Sequence, residues 1–327
     1  MTVALDITEL RDLILRRLRQ QYTAEAAERM AGCVLFGELI GRPSHGIARL
    51  LPGTYGPMDE RPGGPPRTTQ TAPAAARIVG GPGMLVASLA TSLVAELATE
   101  HGMAVVTTTG SHSTSGSLTY YVEQLTQRRL VAVVVANAAA FVAPPGGAMR
   151  LLGTNPLAVG IPATGHPFIA DMATSATTAG EVLAAAAART ALPAGAAVDA
   201  QGRPTTDPLA MLDGGALLPF GGHKGLALSM MVQLLSGVFA GSTALPMTPA
   251  DDWSHVFVAI SLSAIGEPER MRRDAQTLLD RMRATGTRDG SQVRIPGHRT
   301  LTRRDEALAR GTVDVDAGTL EQLTRLL

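Results

Sequence analysis

Leu10, Leu13, Ile14 and Leu18, and then Ala27, Met30, Ala31, Val34 and Leu35, recur at three- and four-residue intervals, the spacing of one buried helical face. The first forty residues are therefore predicted to form two amphipathic helices, with Thr23 placed to cap the second. Gly41, Arg42 and Pro43 end it, because proline lacks an amide donor and pushes its predecessor out of helical geometry. Ser44 and His45 then stand at a helix exit. Residues 52–66 are rich in glycine and proline and read as a crossing segment without regular structure. Beyond it, residues 74–83 give a short strand and turn, 85–101 an alanine- and leucine-rich helix, and 103–107 and 130–136 β-branched runs long enough for buried strands. This alternation up to Asn137 points to a mixed α/β protein.

The second half is patterned less sharply. Residues 179–208 are dominated by alanine and broken by Pro193, Gly195, Gly202 and Pro204, a helix followed by turns. The most apolar run, 226–240, is short and holds Ser229, Gln233 and Ser236, so a buried core helix is expected there and not a membrane span. A strand at 256–262, a charged helix at 267–285 and a short terminal helix at 320–327 complete the reading, with no repeat of fixed period. With 45% hydrophobic and 17% charged residues among 327, the composition is that of a globular protein with a substantial core. Basic and acidic residues balance at 28 each, so there is no overall positive field to attract nucleic acid. Cys33 is the single cysteine and no secretory signal is read over residues 1–6, which together set the expectation of a reducing, cytoplasmic setting and no membrane partner.

Four polar islands interrupt this aliphatic background: Ser44-His45-Gly46 with Arg49, Gly153-Thr154-Asn155-Pro156, Asp171-Met172-Ala173-Thr174-Ser175, and Gly221-Gly222-His223-Lys224-Gly225. Small residues beside titratable ones let backbone and ligand approach closely, so the islands suggest one active site assembled from distant segments. His45 suits proton transfer near neutrality, and Arg49, one turn further on if a helix begins there, offers a planar fork for a carboxylate. A helix start capped by Ser44, with Arg49 merely exposed, explains the same residues structurally. Ser44 beside His45 also admits a serine hydrolase, although adjacent side chains diverge and Gly41 lies one residue too far for a nucleophile elbow. Asp171 and Glu181 are each placed to orient His45. Thr154 and Asn155 either bond substrate or make a turn. His223 and Lys224 lie on a glycine-rich segment able to wrap a phosphate or ribose, and Arg294, His298 and Arg299 around Gly297 offer a second phosphate contact. Residues 79–86 resemble a dinucleotide fingerprint, but Val86 occupies the third glycine position, and a plain turn before a helix is preferred. His112, in a polar loop after a strand, is placed for cofactor contact or simple solvation. His101, His166 and His255 share no metal-ligand spacing, and no metal site is expected.

With these residues in view, the chain resembles the type 2 malate/L-lactate dehydrogenase family from about Leu10 to Leu262, with a weaker tail, and most specifically at Gly-Gly-His-Lys-Gly after Leu-Leu-Pro-Phe. Residues 192–195 and 213–215 are especially similar to the family's piperideine and pyrroline 2-carboxylate (cyclic ketimine) reductases. The resemblance implies an α/β fold unlike the Rossmann type, a largely antiparallel sheet that binds NADP or NAD, with NADPH favoured, and a homodimer acting on a small carboxylic acid. It places residues 1–40 as an N-terminal helical arm, 41–115 with 256–327 as a substrate and dimerisation part, and 116–255 as the NAD(P)-binding part. Residue by residue it implies that His45 is the proton donor, Ser44 its relay partner, Glu181 the relay carboxylate and Arg49 the carboxylate anchor. Thr154, Ser175 and Ala176 match substrate positions. His112, Ser113, Thr114, Ser115, Gly116, Asp171, His223, Lys224, Arg294, Gly297, His298 and Arg299 fall in cofactor segments. The expected activity is hydride transfer to C2 of a 2-oxo or cyclic 2-imino acid; a Ser44 hydrolase and a non-catalytic ligand-binding member of the family stand as alternatives.

Overall fold

The β-branched runs meet in one seven-stranded sheet in the computed structural model of the chain, which describes residues 1–59, 64–242, 252–288 and 290–327. In chain order the elements begin β1 (Thr2–Asp6), α1 (Ile7–Leu18), α2 (Ala24–Leu39), β2 (Arg67–Ala72), β3 (Ala75–Val79), α3 (Gly83–His101), β4 (Met103–Ser111) and α4 (Leu118–Gln127). They continue with β5 (Leu130–Ala136), β6 (Leu157–Ile161), β7 (Phe168–Met172), α5 (Ala179–Ala188), the short strands β8 (Ala197–Val198), β9 (Pro204–Thr205) and, after α6 (Pro208–Leu212), β10 (Ala216–Leu217). Then come α7 (His223–Val232), β11 (Trp253–Ser261), α8 (Leu262–Ile265), α9 (Pro268–Ala284), α10 (His298–Arg310), β12 (Thr312–Asp316) and α11 (Ala317–Arg325).

The strand order is β2-β3-β4-β11-β5-β6-β7, with β3 and β4 parallel through α3 and the other pairings antiparallel. This is the mixed α/β, largely antiparallel sheet expected. β11 is central because its inward positions suit burial from both neighbours: Phe257 and Ala259 have no exposure. α3 lies on β4 and β11, α4 lies on β5 and β6, and the two helices touch. Val86, Val94, Val106, Leu125 and Val134 fill the space between, and Leu10, Ile14, Met30 and Val34 of α1 and α2 extend the same core. α3 is long and apolar enough to cross a membrane, but its apolar stretch is 67% buried inside this fold, so it acts as a core helix. Its start at Gly83 is a packing turn: the Gly83 N–H donates to Ser113 Oγ at 2.9 Å, and Ser113 is wholly buried.

The helical N-terminus was legible, including the Thr23 cap, whose side chain accepts from Ala26 N. The expected strand at 256–262 begins earlier, at Trp253, and the one at 103–107 runs on to Ser111. Part of the expected irregular segment 52–66, residues 60–63, lies outside the described residues. The buried core helix expected at 226–240 is corrected. α7 passes into a π-helical stretch, Gln233–Phe239, and only one side of the pair is covered: Ser229, Val232 and Ser236 are buried, whereas Leu234 is 47% and Phe239 77% exposed. Apolarity identified a surface needing cover, and among the described residues half of it is supplied.

Candidate active site

α2 closes at Leu39, and Gly41 at φ +67° turns the chain out of the helix. Two separate 3₁₀ turns follow, Pro43–His45 and Ile47–Leu50, divided by Gly46. Arg49 therefore does not sit one α-turn above His45 as anticipated, because proline and glycine both interrupt the helix. It instead crosses the loop: Nε donates to the Ser44 carbonyl at 2.6 Å and Nη1 to the Thr54 carbonyl, while Nη2 has no partner among the described residues. His45 is half-buried, and its Nδ1 lies 3.1 Å from Ser44 Oγ. Burial, followed by the charges of Arg49 and Arg42, lowers the imidazole to about 4 against the opposing pull of Asp171. The ring is therefore neutral near pH 7 in the free chain.

The two candidate carboxylates are held by different helix starts. Asp171, on β7, accepts through Oδ2 from Ser117 Oγ at 3.2 Å, Thr119 N at 3.0 Å and Thr119 Oγ1 at 2.7 Å, and so caps α4. Arg42 Nη1 lies 3.8 Å from the same oxygen. Glu181 forms a capping box at the start of α5, its Oε2 accepting from Thr177 Oγ1, Thr178 N and Thr178 Oγ1. Burial raises its pKa, but those hydrogen bonds and Arg42 outweigh burial and leave it lowered. Glu181 makes no hydrogen bond to Ser44 or His45, yet the turn it caps is adjacent: a Cβ built on Gly180 would lie 3.8 Å from Ser44 Cβ.

Backbone bonds tie the other islands together. Thr174 N donates to the Thr154 carbonyl at 2.8 Å, Ala176 N to the Leu218 carbonyl at 2.8 Å, and Phe220 N to the Thr174 carbonyl at 3.1 Å. Ser175 Oγ is turned onto the Thr177 carbonyl at 2.7 Å. Asn155, wholly buried, donates to the Ser229 carbonyl at 3.0 Å and Gln233 Oε1 at 3.2 Å, fastening its island to α7. The first turn of α7 holds His223 and Lys224, exposed and without a hydrogen bond or ion pair among the described residues.

Two segments expected to meet the cofactor lie as follows. Ser113, Thr114 and Ser115 are buried, not a solvated loop: Thr114 Oγ1 accepts from Gly116 N and the Ser115 carbonyl accepts from Tyr121. His112 is half-buried at the edge of this seam. Gly297 starts α10 against the backbone of Ile169, two residues before Asp171; His298 packs edge-on to His166 at 5.1 Å, and Arg294 and Arg299 are exposed. Arg42, Ser117 and Thr119 were missed, although each stands within three residues of a segment already singled out. Among the described residues, no three His, Cys, Asp or Glu side chains cluster to hold a metal ion.

Residues 5–324 match the malate/L-lactate dehydrogenase family, a span that includes α10, β12 and most of α11. The chain is similar to a Delta(1)-pyrroline-2-carboxylate/Delta(1)-piperideine-2-carboxylate reductase of Pseudomonas putida, 35% identical over 342 residues, covering 99% of this chain and 97% of the relative. It is also similar to an L-sulfolactate dehydrogenase of Methanothermobacter thermautotrophicus, 33% identical over 317 residues, covering 91% and 89%. Among solved structures, the delta1-piperideine-2-carboxylate reductase of Pseudomonas syringae superposes with a TM-score of 0.88 at 31% identity over all of both chains. Malate dehydrogenase from Entamoeba histolytica, at 22% identity and a TM-score of 0.91 over 100% of this chain and 97% of its own, shares the fold.

Proposed function

Because the chain belongs to the malate/L-lactate dehydrogenase family and is an oxidoreductase, we propose that it reduces a small 2-oxo or cyclic 2-imino carboxylic acid at C2. The relatives named for reducing pyrroline and piperideine 2-carboxylate support the imino acid, and the sulfolactate dehydrogenase supports the oxo acid. Family membership replaces the hydrolase alternative for Ser44. The observation that carries the reading is the convergence on one loop of His45, an arginine nitrogen left open at Arg49, and the Asp171 and α5 segments.

A bound reduced nicotinamide, NADPH in preference to NADH, would supply the hydride. His223 and Lys224, exposed and unengaged at the glycine-rich start of α7, fit its phosphates, and the flanks of Gly297 add Arg294, His298 and Arg299. We assign His112 to Gly116 and Asp171 to shaping that part of the site, within residues 116–255 together with the end of 41–115. Arg49 Nη2 binds the substrate carboxylate, and Thr154, Ser175 and Ala176 border the bound acid. The carboxylate offsets the arginine charges that depress His45, so the imidazole takes up a proton on binding and gives it to the substrate oxygen or nitrogen. Ser44 holds Nδ1, and Glu181, through its unused Oε1, completes the relay.

The direct test is loss of reduced-nicotinamide absorbance with pyruvate, oxaloacetate, 2-oxo sugar acids and piperideine or pyrroline 2-carboxylate. Turnover supports the reading; no turnover together with no nicotinamide binding overturns it. A second expectation follows from His45. Oxidation of the 2-hydroxy or 2-amino acid needs a neutral imidazole, and kcat/KM reports the free enzyme, so its acid limb is expected near the lowered value of about 4. A limb at or above the ordinary imidazole value of about 6.5 contradicts this.

We also propose that a second copy of the chain covers the apolar side of α7 and the π-helical stretch. Each large side chain left uncovered there forgoes roughly 1.5–3 kcal/mol of burial. Phe239→Asp is expected to turn a dimer into a monomer in light scattering and to lower activity, because the same helix carries His223 and Lys224. A monomeric wild-type chain overturns that arrangement. We further propose a cytoplasmic setting, in keeping with Cys33, which is buried and free.

A further inference from the structure

Glu38 is a buried carboxyl that none of this chemistry employs. It falls in phase with Ala27, Ala31 and Val34 on the inner face of α2 and is 3% exposed. A carboxyl in such a place incurs a desolvation cost that must be offset by a polar contact. Its Oε1 accepts from the backbone N–H of Ile47 at 2.8 Å, at the start of the second 3₁₀ turn and two residues after His45. Ile47 is wholly buried, and its N–H has no other acceptor among the described residues. Backbone closes around the contact: a Cβ on Gly46 would be driven into the Glu38 carboxyl, and one on Gly37 into the His45 carbonyl. The loop between His45 and Arg49 therefore rests on α2 through this one polar peg.

We propose that Glu38 is a positioning residue: by holding the Ile47 N–H it fixes the backbone between His45 and Arg49 and so aims both side chains at the substrate. This rests on the roles given to His45 and Arg49 above. Burial raises the carboxyl to about 7, the Ile47 hydrogen bond opposing and Asp316 adding to the rise. An oxygen accepts from Ile47 in either protonation state, so the role depends on reach and not on charge.

That distinction sets the experiment. Glu38→Gln keeps the length and an acceptor oxygen, while Glu38→Asp keeps the acid but withdraws it by one methylene. With the substrate found in the absorbance screen, Glu38→Asp is expected to lower kcat/KM at least ~10-fold, and Glu38→Gln to retain at least about a third of it. Nicotinamide affinity, followed by fluorescence, is expected to stay within about twofold in both, which reports an intact fold. In a His45→Asn background, the Glu38→Asp loss in kcat is expected to shrink to less than about threefold, because only the aim of Arg49, read in KM, is left for Glu38 to set. Gly46→Ala, which displaces the carboxyl without altering it, is expected to reproduce the loss. Wild-type turnover with an unaffected Glu38→Asp variant, a Glu38→Gln loss as deep as that of Glu38→Asp, or an undiminished kcat loss in the His45→Asn background overturns the role of Glu38 alone. A wild-type chain inactive on every acid overturns the parent reading and this one with it.

Discussion

His45→Ala is expected to lower turnover by about 10²–10⁴-fold, the usual contribution of a positioned proton donor, with nicotinamide affinity within about twofold of wild type. The asymmetry comes from where the ring sits. Its neighbours are Ser44, Arg49, Arg42 and, electrostatically, Asp171, whereas the segment assigned to the cofactor phosphates begins at His223 on a different helix. Alanine leaves the backbone of the 3₁₀ turn able to form the His45 N to Arg42 carbonyl bond at 2.8 Å, so the loop survives the change. Steady-state rates set beside fluorescence titration with the reduced nicotinamide make the comparison. Equal turnover in the variant removes His45 from the chemistry. A parallel loss of rate and cofactor affinity shows that the ring serves the fold of the loop instead.

The four islands were visible in sequence because polar residues among small ones stand out in an aliphatic chain, and the joining of the last three through Thr154, Thr174 and Leu218 uses backbone bonds that spacing cannot foretell. Local geometry was harder to read. A four-residue interval suggested one helical turn from His45 to Arg49, but Gly46 splits the segment and sends the guanidinium across the loop. Asp171 and Glu181 were both plausible partners for the imidazole; each turned out to cap a helix as well, a task set by the chain arriving from elsewhere. β1 and β12 went unread for a related reason. They pair Thr2 with Asp316; β1 has no buried alternation, whereas β12 does alternate, with Val313 and Val315 inward, and that short signal was overlooked. The run at 226–240 was read correctly as helical through Val232, yet its exposure depends on what packs against it. Glu38 did leave a trace, as a charge in phase with the buried positions of α2, the kind of local conflict that marks a residue with a specific job.

Arg49→Lys is expected to raise KM by about 10- to 100-fold, in line with the loss of one charge-assisted hydrogen bond, and to lower kcat by a smaller factor. The arginine works in three directions at once: Nε on the Ser44 carbonyl, Nη1 on the Thr54 carbonyl, and Nη2 left for a ligand. One ammonium on a flexible stem cannot span two carbonyls and an incoming carboxylate. If it stays with the loop, the substrate loses its anchor; if it turns to the substrate, the carbonyl next to His45 loses its tether. Charge and geometry can then be separated by pH. Lysine keeps a positive charge near the imidazole, so the acid limb of the oxidation profile is expected to remain near its wild-type position. Arg49→Met removes the charge that lowers His45 after burial, and the limb is expected to move upward toward the ordinary imidazole value. An unchanged KM in Arg49→Lys takes the carboxylate away from Arg49. A limb that stays put in Arg49→Met shows that burial and Arg42, not Arg49, set the proton affinity of His45.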